Sequence, residues 1–316
     1  MPFRVLLPLL LGLLAIPQSS PAADVKKIVI IAGEKSHGPE GNRIHDYAWT
    51  ARLLKASLES SNVKDAVRVD YVRDGWPKDP AILADADSIL VVSDGRDGDK
   101  YSEAPHLVSP ERVAEVQKLV DRGCGFCVLH FSTFAPDKYA AKVLDWTGGF
   151  FDWEENGERK WYSAIKTLEG DIVPVGGKHP ALSGVRPWRM KEEFYFNLRF
   201  ADGDSPATGG KTYVTGVPAR RHADGSSTQP LVVVPATEGR DDWGLTVAWT
   251  HERKCGGRGF GTTCGHFYDN WKHDDFRKLV LNAIVWTAHV DVPGGGVDGP
   301  FLSRAAIMRG IGEPFD

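Results

Sequence analysis

The sequence predicts an α/β protein with a doubly wound, mostly parallel sheet, and three observations lead there. β-branched apolar runs alternate with stretches of helical period over roughly the first 145 residues, the pattern of strand–helix–strand units. The first run, Lys26–Ala32 (KKIVIIA), is apolar at successive positions, as a strand covered on both faces must be. With 42% hydrophobic residues in 316, the chain can bury one large core, and no segment reads as a second independent domain.

The elements follow in order. After the first strand comes a loop, Glu34 to Asn42. Ile44, Tyr47, Ala48, Leu53, Leu54 and Leu58 then recur at helical spacing up to Ser60. Val67–Val72 is the second strand, Asp79–Asp85 a short helix, and Ser88–Val92 the third strand, closing on a loop from Ser93 to Gly98. Ser109-Pro110-Glu111 supplies an N-cap, a proline at the first helical position and an acidic first turn, so a helix runs from there to about Arg122. Gly125–Leu129 is the fourth strand, with His130 just past it. Right-handed crossovers place these strand ends and their loops along one rim.

The second half departs from that rhythm. An aromatic, Gly-rich stretch from Trp146 to Asn156 precedes short strands near Trp161–Thr167, Tyr213–Val217 and Leu231–Pro235. Leu245–Thr250 and Gly259–Thr263 read as a hairpin around Arg253–Gly257, and Asp274–Thr287 as a closing amphipathic helix. The parallel core is thus expected to carry β-hairpin and loop insertions over residues 24–292, followed by a Gly/Pro-rich tail, 293–316, that packs loosely.

Composition narrows the class. The formal charge of -4 and scattered Lys and Arg exclude a polyanion surface, so no nucleic-acid partner is expected. Residues 1–23 hold Arg4, a nearly unbroken apolar run from Val5 to Pro17, then Ser19 to Ala23. That order is a secretory signal cleaved near Ala22 or Ala23, and the run is too short for a stable membrane span. Export to the periplasm or medium is the expectation. Cys124 and Cys127 form a C-x-x-C, yet they fall on a turn entering a strand rather than at a helix start, which speaks against a redox centre. Cys255 and Cys264 sit in a Gly-rich hairpin, and the pairing of the four is left open.

Four constellations fall at strand ends, where open α/β sheets gather ligands. The first is Gly33 to Gly38 with His37, and His45 shortly beyond; no phosphate-loop pattern is present. The second is Cys127 to Thr133, where a strand turns abruptly and lifts His130 to the apex, a residue suited to general acid–base work or metal ligation. The third, Lys191 to Tyr195, carries adjacent carboxylates on an extended segment, so Glu193 can face a site while Glu192 meets solvent or a lysine. The fourth is Gly261 to His266, with His251 a weaker candidate. Trp153 and Trp161 are the indoles expected to stack on a sugar ring, while Trp249, Trp271 and Tyr268 lie near the same segments.

Taken together, AGEKSHGPEGNRIHDY, GCGFCVLHFST, HPAL, KEEFYF, VAWTHE, GFGTTCGHFYD and DFRKLVLNAIVWTA resemble the trehalose-utilisation (ThuA-like) family over about residues 26–290. That resemblance implies a flavodoxin-like fold of the class I glutamine amidotransferase type with histidine in place of the nucleophilic cysteine, hence no glutamine amidotransferase activity. It implies that His37, His130, Glu193 and His266 occupy the polar positions of the family pattern, with His45 a looser match. It also implies a small carbohydrate partner, a disaccharide or its 3-keto derivative. After Gly148-Gly149 the family often offers a further histidine; here the chain reads Phe-Phe-Asp-Trp-Glu-Glu-Asn, and Asp152 or Glu154 stand as substitutes. The resulting expectation is a hydrolase, lyase or isomerase acting on a glycoside or keto-glycoside. His130 serves as base and Glu193 as acid or orienter. His37, His45, His266, Trp153 and Trp161 bind substrate, and His37, His130 and His266 are candidates for a divalent metal. A non-catalytic carbohydrate-binding or accessory module is the alternative, and an amidotransferase-like or protease-like activity would need another nucleophile, such as Ser132 or Cys127.

Overall fold

The computed structural model describes residues 1, 24–95, 104–202, 216–236 and 238–311. The expected signal segment beyond Met1, the end of the loop after Ser93 and the start of the expected strand at Tyr213 lie outside the described residues.

The parallel half is built as its patterning dictates. β1 (Lys26–Ala32), α1 (Tyr47–Glu59), β2 (Val67–Val72), α2 (Ala81–Ala84), β3 (Ser88–Val92), α3 (Pro110–Asp121) and β4 (Gly125–Leu129) alternate along the chain. β2, β1, β3 and β4 pair in parallel in that order. The two faces of β1 go to different layers. Ile28 and Ile30 pack with Ala51, Leu54 and Leu58 of α1, whereas Val29 and Ile31 pack with Val113, Val116 and Val120 of α3. α3 begins as expected, with the Ser109 side chain accepting from the Arg112 amide at 3.3 Å.

The rest of the chain extends this sheet on the β4 side. β5 (Phe134–Ala135), α4 (Ala140–Thr147), β6 (Gly149–Asp152), β7 (Glu154–Glu155) and β8 (Glu158–Arg159) lead to two long strands, β9 (Ala164–Pro174) and β10 (Trp188–Phe196). β11 (Arg199–Phe200), β12 (Arg220–Arg221), β13 (Ser227–Val233), β14 (Thr246–Glu252) and β15 (Arg258–Thr262) follow, then α5 (Asp274–Thr287) and α6 (Arg304–Ile311). β15 joins β4 in parallel, and the order continues outward antiparallel as β14, β13, β9 and β10. β9 pairs with β13 only at its C-terminal end and with β10 along most of its length. β10 folds back against β14. That return brings an outer strand of the sheet over the rim of the parallel strands.

Several expectations need correction. The first helix begins at Tyr47 rather than near Asn42, because Arg43 and His45 take left-handed backbone conformations, φ 70° and 46°. Asp46 accepts from the Gly41 and Arg43 amides, so it ties the loop rather than capping the helix. The strand expected at Trp161–Thr167 starts at Ala164 and runs on to Pro174. α4 and α6 were not expected at all. The described part of the tail is not loose: Ile307 and Met308 of α6 are buried, and Arg304 reaches Asp46 at 2.8 Å. No helix among the described residues is long and apolar enough to cross a membrane.

Candidate metal centre at the strand rim

Four segments deliver the site. β4 ends in Leu129, and the next residue, His130, takes φ 49°, a costly backbone for a side chain-bearing residue. A 3-10 turn over His130–Thr133 follows, held by Ser132, whose hydroxyl accepts from the Leu129 amide and lies 2.6 Å from its carbonyl. This is the abrupt strand-to-turn transition read from sequence, with the imidazole at its apex. Ser132 is spent on building that turn and is not a nucleophile.

The loop after β1 docks beside the turn after β15. The His45 amide donates to the His266 carbonyl at 3.0 Å, and Ile44 and Phe267 form an antiparallel bridge. β10 then supplies two residues from one face, Glu193 and Tyr195, as the two-residue period of a strand requires.

The four side chains converge. His45 Nε2 lies 2.9 Å from His130 Nε2 and 2.8 Å from His266 Nδ1; the latter two are 3.3 Å apart. Glu193 Oε2 stands 3.5 Å from His130 Nε2 and 3.4 Å from His266 Nδ1. Tyr195 Oη is 2.8 Å from His130 Nε2. Four donors on a zinc-sized cation, with bonds of about 2.0–2.1 Å, sit about 3.3 Å apart at the edges of a tetrahedron. The observed spacing of His45, His130, His266 and Glu193 fits that donor set.

Proton positions follow from the partners. The Thr263 carbonyl, 2.6 Å from His130 Nδ1, can only accept, so His130 carries its proton there and turns a lone pair inward at Nε2. His45 Nδ1 lies 3.1 Å from the Tyr47 hydroxyl, which itself donates a short bond to Asp94. His37 Nδ1 lies 2.6 Å from Ser36 Oγ, and that hydroxyl donates to Asp94 Oδ1 at 2.6 Å. Asp94 accepts from both hydroxyls and so ties the His45 and His37 rings into one buried network, in which His45 Nδ1 and His37 Nδ1, 2.9 Å apart, share a single proton between them. Such carboxylate-to-histidine chains are the usual support of metal-ligating imidazoles.

Burial, reinforced by the neighbouring imidazoles, depresses the basicity of His45 strongly, so it stays neutral. Burial also lowers His37. For Glu193 burial opposes ionisation, but the neighbouring His130 and His266 hold its carboxyl well below the usual range, an effect that needs positive charge at this point, from a protonated imidazole or from a bound cation.

Expected residues divide as follows. His45, His130, His266 and Glu193 meet; His37 sits behind His45, its Nδ1 2.9 Å from His45 Nδ1, and is not one of the converging donors. His45 therefore takes the ligand position expected of His37, because its left-handed φ swings the ring inward. Glu192 does not meet solvent or a lysine. It is fully buried and accepts from the amides of Glu193 (2.8 Å), Gly265 (3.0 Å) and His266 (3.2 Å) and from Asn270 Nδ2 (2.9 Å). Trp153 is core, its ring capped by Arg159. Trp161 is exposed and edges Phe134 and Phe151, whose rings in turn edge Tyr195. Asp152 pairs with Arg199 at 2.5 Å, and neither it nor Glu154 belongs to the converging set. His251 is buried against Thr228. All four cysteines are free. Cys127 lies inside the sheet beside Thr287, and burial pushes its thiol up to about 11, which disfavours the thiolate that a nucleophile needs. Sequence reasoning did not single out Tyr47, Asp94, Thr263 or Tyr195; only a three-dimensional arrangement joins them.

An α/β protein with its chemistry at the carboxyl ends of parallel strands and a histidine–carboxylate cluster at that rim is the class defined so far. The trehalose-utilisation (ThuA) family profile matches residues 40–287, and the chain belongs to that family. No curated protein sequence matches it significantly. Among solved structures it is similar to a ThuA-like protein from Parabacteroides merdae, at 14% identity and TM-score 0.55, covering 88% of this chain and 98% of that one. A ThuA-like protein from Bacteroides uniformis gives 12% identity and TM-score 0.52, over 91% and 100%. A glutamine amidotransferase from Thermotoga maritima is a more distant neighbour, at 8% identity and TM-score 0.41, over 83% and 98%.

Proposed function

We propose that this chain is an exported, metal-dependent carbohydrate-processing enzyme, with His45, His130, His266 and Glu193 holding a divalent cation. One observation carries the reading: three imidazole nitrogens and a carboxylate oxygen converge at 2.8–3.5 Å. Two of the rings are oriented by second partners on Thr263 and Asp94. His130 Nε2, with its proton on Nδ1, faces His45 Nε2 at 2.9 Å, and a cation between the two would be held by both lone pairs. A bound divalent ion would polarise a carbonyl or activate water. His130 is then a ligand rather than the base. The proton acceptor is His37, neutral, half-buried and braced by Ser36 and Asp94. Tyr195 orients a substrate oxygen. The exposed Trp161 is suited to stack on the apolar face of a sugar ring.

The carbohydrate assignment is supported by the family's trehalose-utilisation description and by this rim of Trp161, Tyr195 and carboxylate. Hydrolysis, elimination and isomerisation of a glycoside or keto-glycoside all need the same two functions, a polarised oxygen and a nearby base. Export is supported by the charged start, apolar run and small-residue exit of residues 1–23.

The test is a metal and turnover assay on the purified mature protein. Elemental analysis should find close to one divalent ion per chain, and His45→Ala should remove it. Turnover of trehalose, keto-disaccharides or related glycosides should vanish with chelation and return with zinc or manganese. A protein that binds sugar unchanged while metal-loaded would be an accessory module instead. A protein that retains no metal and is indifferent to His45→Ala would sink the centre.

A further inference from the structure

A second polar concavity lies past the end of β10, on the far side of the Trp161–Tyr162 pair. It has a volume of about 170 Å³. A water's share of liquid volume is about 30 Å³, so the space holds roughly five or six waters, or one six-membered sugar ring in their place.

The frame of this cavity is built. Asn197 is buried with φ 54°. Its amide accepts from the Arg240 backbone N–H at 2.8 Å and donates to the Glu238 carbonyl at 2.6 Å, while its own N–H donates to the Gly244 carbonyl at 2.9 Å. The Asp241 carboxylate accepts from the Gly244 amide at 2.7 Å. One strained residue thereby fixes the loop that carries Arg240 and Asp241.

The charges within it are unusual. Arg199 is neutralised by Asp152 and lies over one side of the Tyr162 ring, 3.3 Å from its centroid, with Arg240 at 4.2 Å. Arg220 lies 4.1 Å over Trp243 and is half-buried, and burial lowers its basicity against the pull of Asp241 and Asp202. Arg220, Arg240, Asp202 and Asp241 share this cavity, yet among the described residues no ion pair joins any two of them. A half-buried guanidinium beside carboxylates it does not touch is costly unless something bridges them.

We propose that this cavity binds one neutral pyranose ring, a second sugar subsite separated from the histidine cluster by the rings of Phe151 and Trp161. Planar guanidinium forks and carboxylates present paired donors and paired acceptors. A hydroxyl both donates and accepts, so adjacent hydroxyls can satisfy Arg220 or Arg240 and Asp202 or Asp241 at once. A free anion would gain the two unpaired arginines but face the two carboxylates, and a cation the reverse. Continuity with the centre runs through the aromatic wall, from Tyr195 by Phe151 to Trp161, which precedes Tyr162. The relevance of the subsite rests on the carbohydrate reading above, but its residues are distinct from the metal donors, so the two can fail separately.

The experiment measures binding of methyl glucopyranoside, inorganic phosphate and sulfate to the mature protein by calorimetry and ligand-observed NMR. It uses wild type, Arg220→Met and Arg240→Ala, each with and without chelator. The expected result is weak pyranoside binding that survives chelation and falls at least tenfold in both variants, with metal content and melting temperature close to wild type. Arg240 is exposed, so its variant keeps the test valid should Arg220→Met misfold. Pyranoside binding that is absent from the wild type, or indifferent to both substitutions, overturns the proposal. So does tighter binding of phosphate or sulfate that depends on Arg220 and Arg240, which would make this an anion site.

Discussion

At the residue scale the centre is a matter of which nitrogen faces where. His130 is fixed by the Thr263 carbonyl and by its own left-handed backbone. Thr263 reaches His130 through its backbone carbonyl alone, so that bond does not depend on its side chain, which is itself fully buried. His130→Ala or His45→Ala should each weaken zinc affinity at least a hundredfold by competition titration, and turnover should fall with it. Because an imidazole must be unprotonated to ligate, acid should displace the ion, seen as metal release in an equilibrium dialysis against buffers of falling pH. Glu192 makes a separate case. Its carboxylate collects four N–H groups at the turn that presents His266. Glu192→Ala should therefore cost about 2–4 kcal/mol by leaving buried donors unpaired, seen in chemical denaturation, and should weaken metal binding without touching a ligand. Unchanged stability would mean the turn is held by something else. The thiols give a simpler check. Cys124, Cys127 and Cys264 are buried, with burial raising all three, while Cys255 is exposed. A thiol reagent should titrate one cysteine in the native protein and four after denaturation, and Cys127→Ser should leave turnover within a few-fold.

At the element scale, legibility tracked how local the determinant was. β1, β4, α3 and α5 were readable because a buried apolar run, a Ser-Pro N-cap or a helical stripe lies entirely within each segment. The hairpin of β14 and β15 was readable for the same reason. β10 was seen only as an extended pair of glutamates, since its partner β9 and its return over the rim depend on contacts far along the chain. That is why the alternation alone puts Glu192 in solvent or beside a lysine, when it is in fact fully buried. α6 was hidden by the glycines and prolines around it, yet it packs on α1 and secures the loop of His45 through Arg304 and Asp46. Ile307→Ala should lower stability by about 2–4 kcal/mol, the usual loss for a buried large aliphatic. If instead its effect is within error, α6 is an ornament and the sequence-based view of a loose tail was the better one.

At the scale of the whole molecule, the parallel core announces where chemistry will sit but not which side chains will meet there. The rim at the carboxyl ends of β1, β3, β4 and β15 was foreseeable from topology alone. The choice of His45 over His37 was not, because it turns on one positive φ that no periodicity encodes. Nor could the charge-sharing cavity near Tyr162 be foreseen, since Asn197, Arg220 and Arg240 carry no motif.

The four donors are spread from His45 to Glu193 and His266, across most of the described chain. An ion gripping them is therefore also a clasp, closing very long loops in one knot and pinning the β9–β10 arm to the parallel core. Ligand-linked stabilisation at a hundredfold excess over Kd is about 2.7 kcal/mol, enough to move a melting point by several degrees. Chelation should act unevenly, loosening the arm first. Amide hydrogens of Trp188–Phe196 should exchange faster in the stripped protein, and a protease should nick that arm, while β1 and β4 stay protected. On the proposed metal-dependent reading the clasp would also be an expiry: once the ion is lost, the part of the chain that shapes the site is the first to be cut.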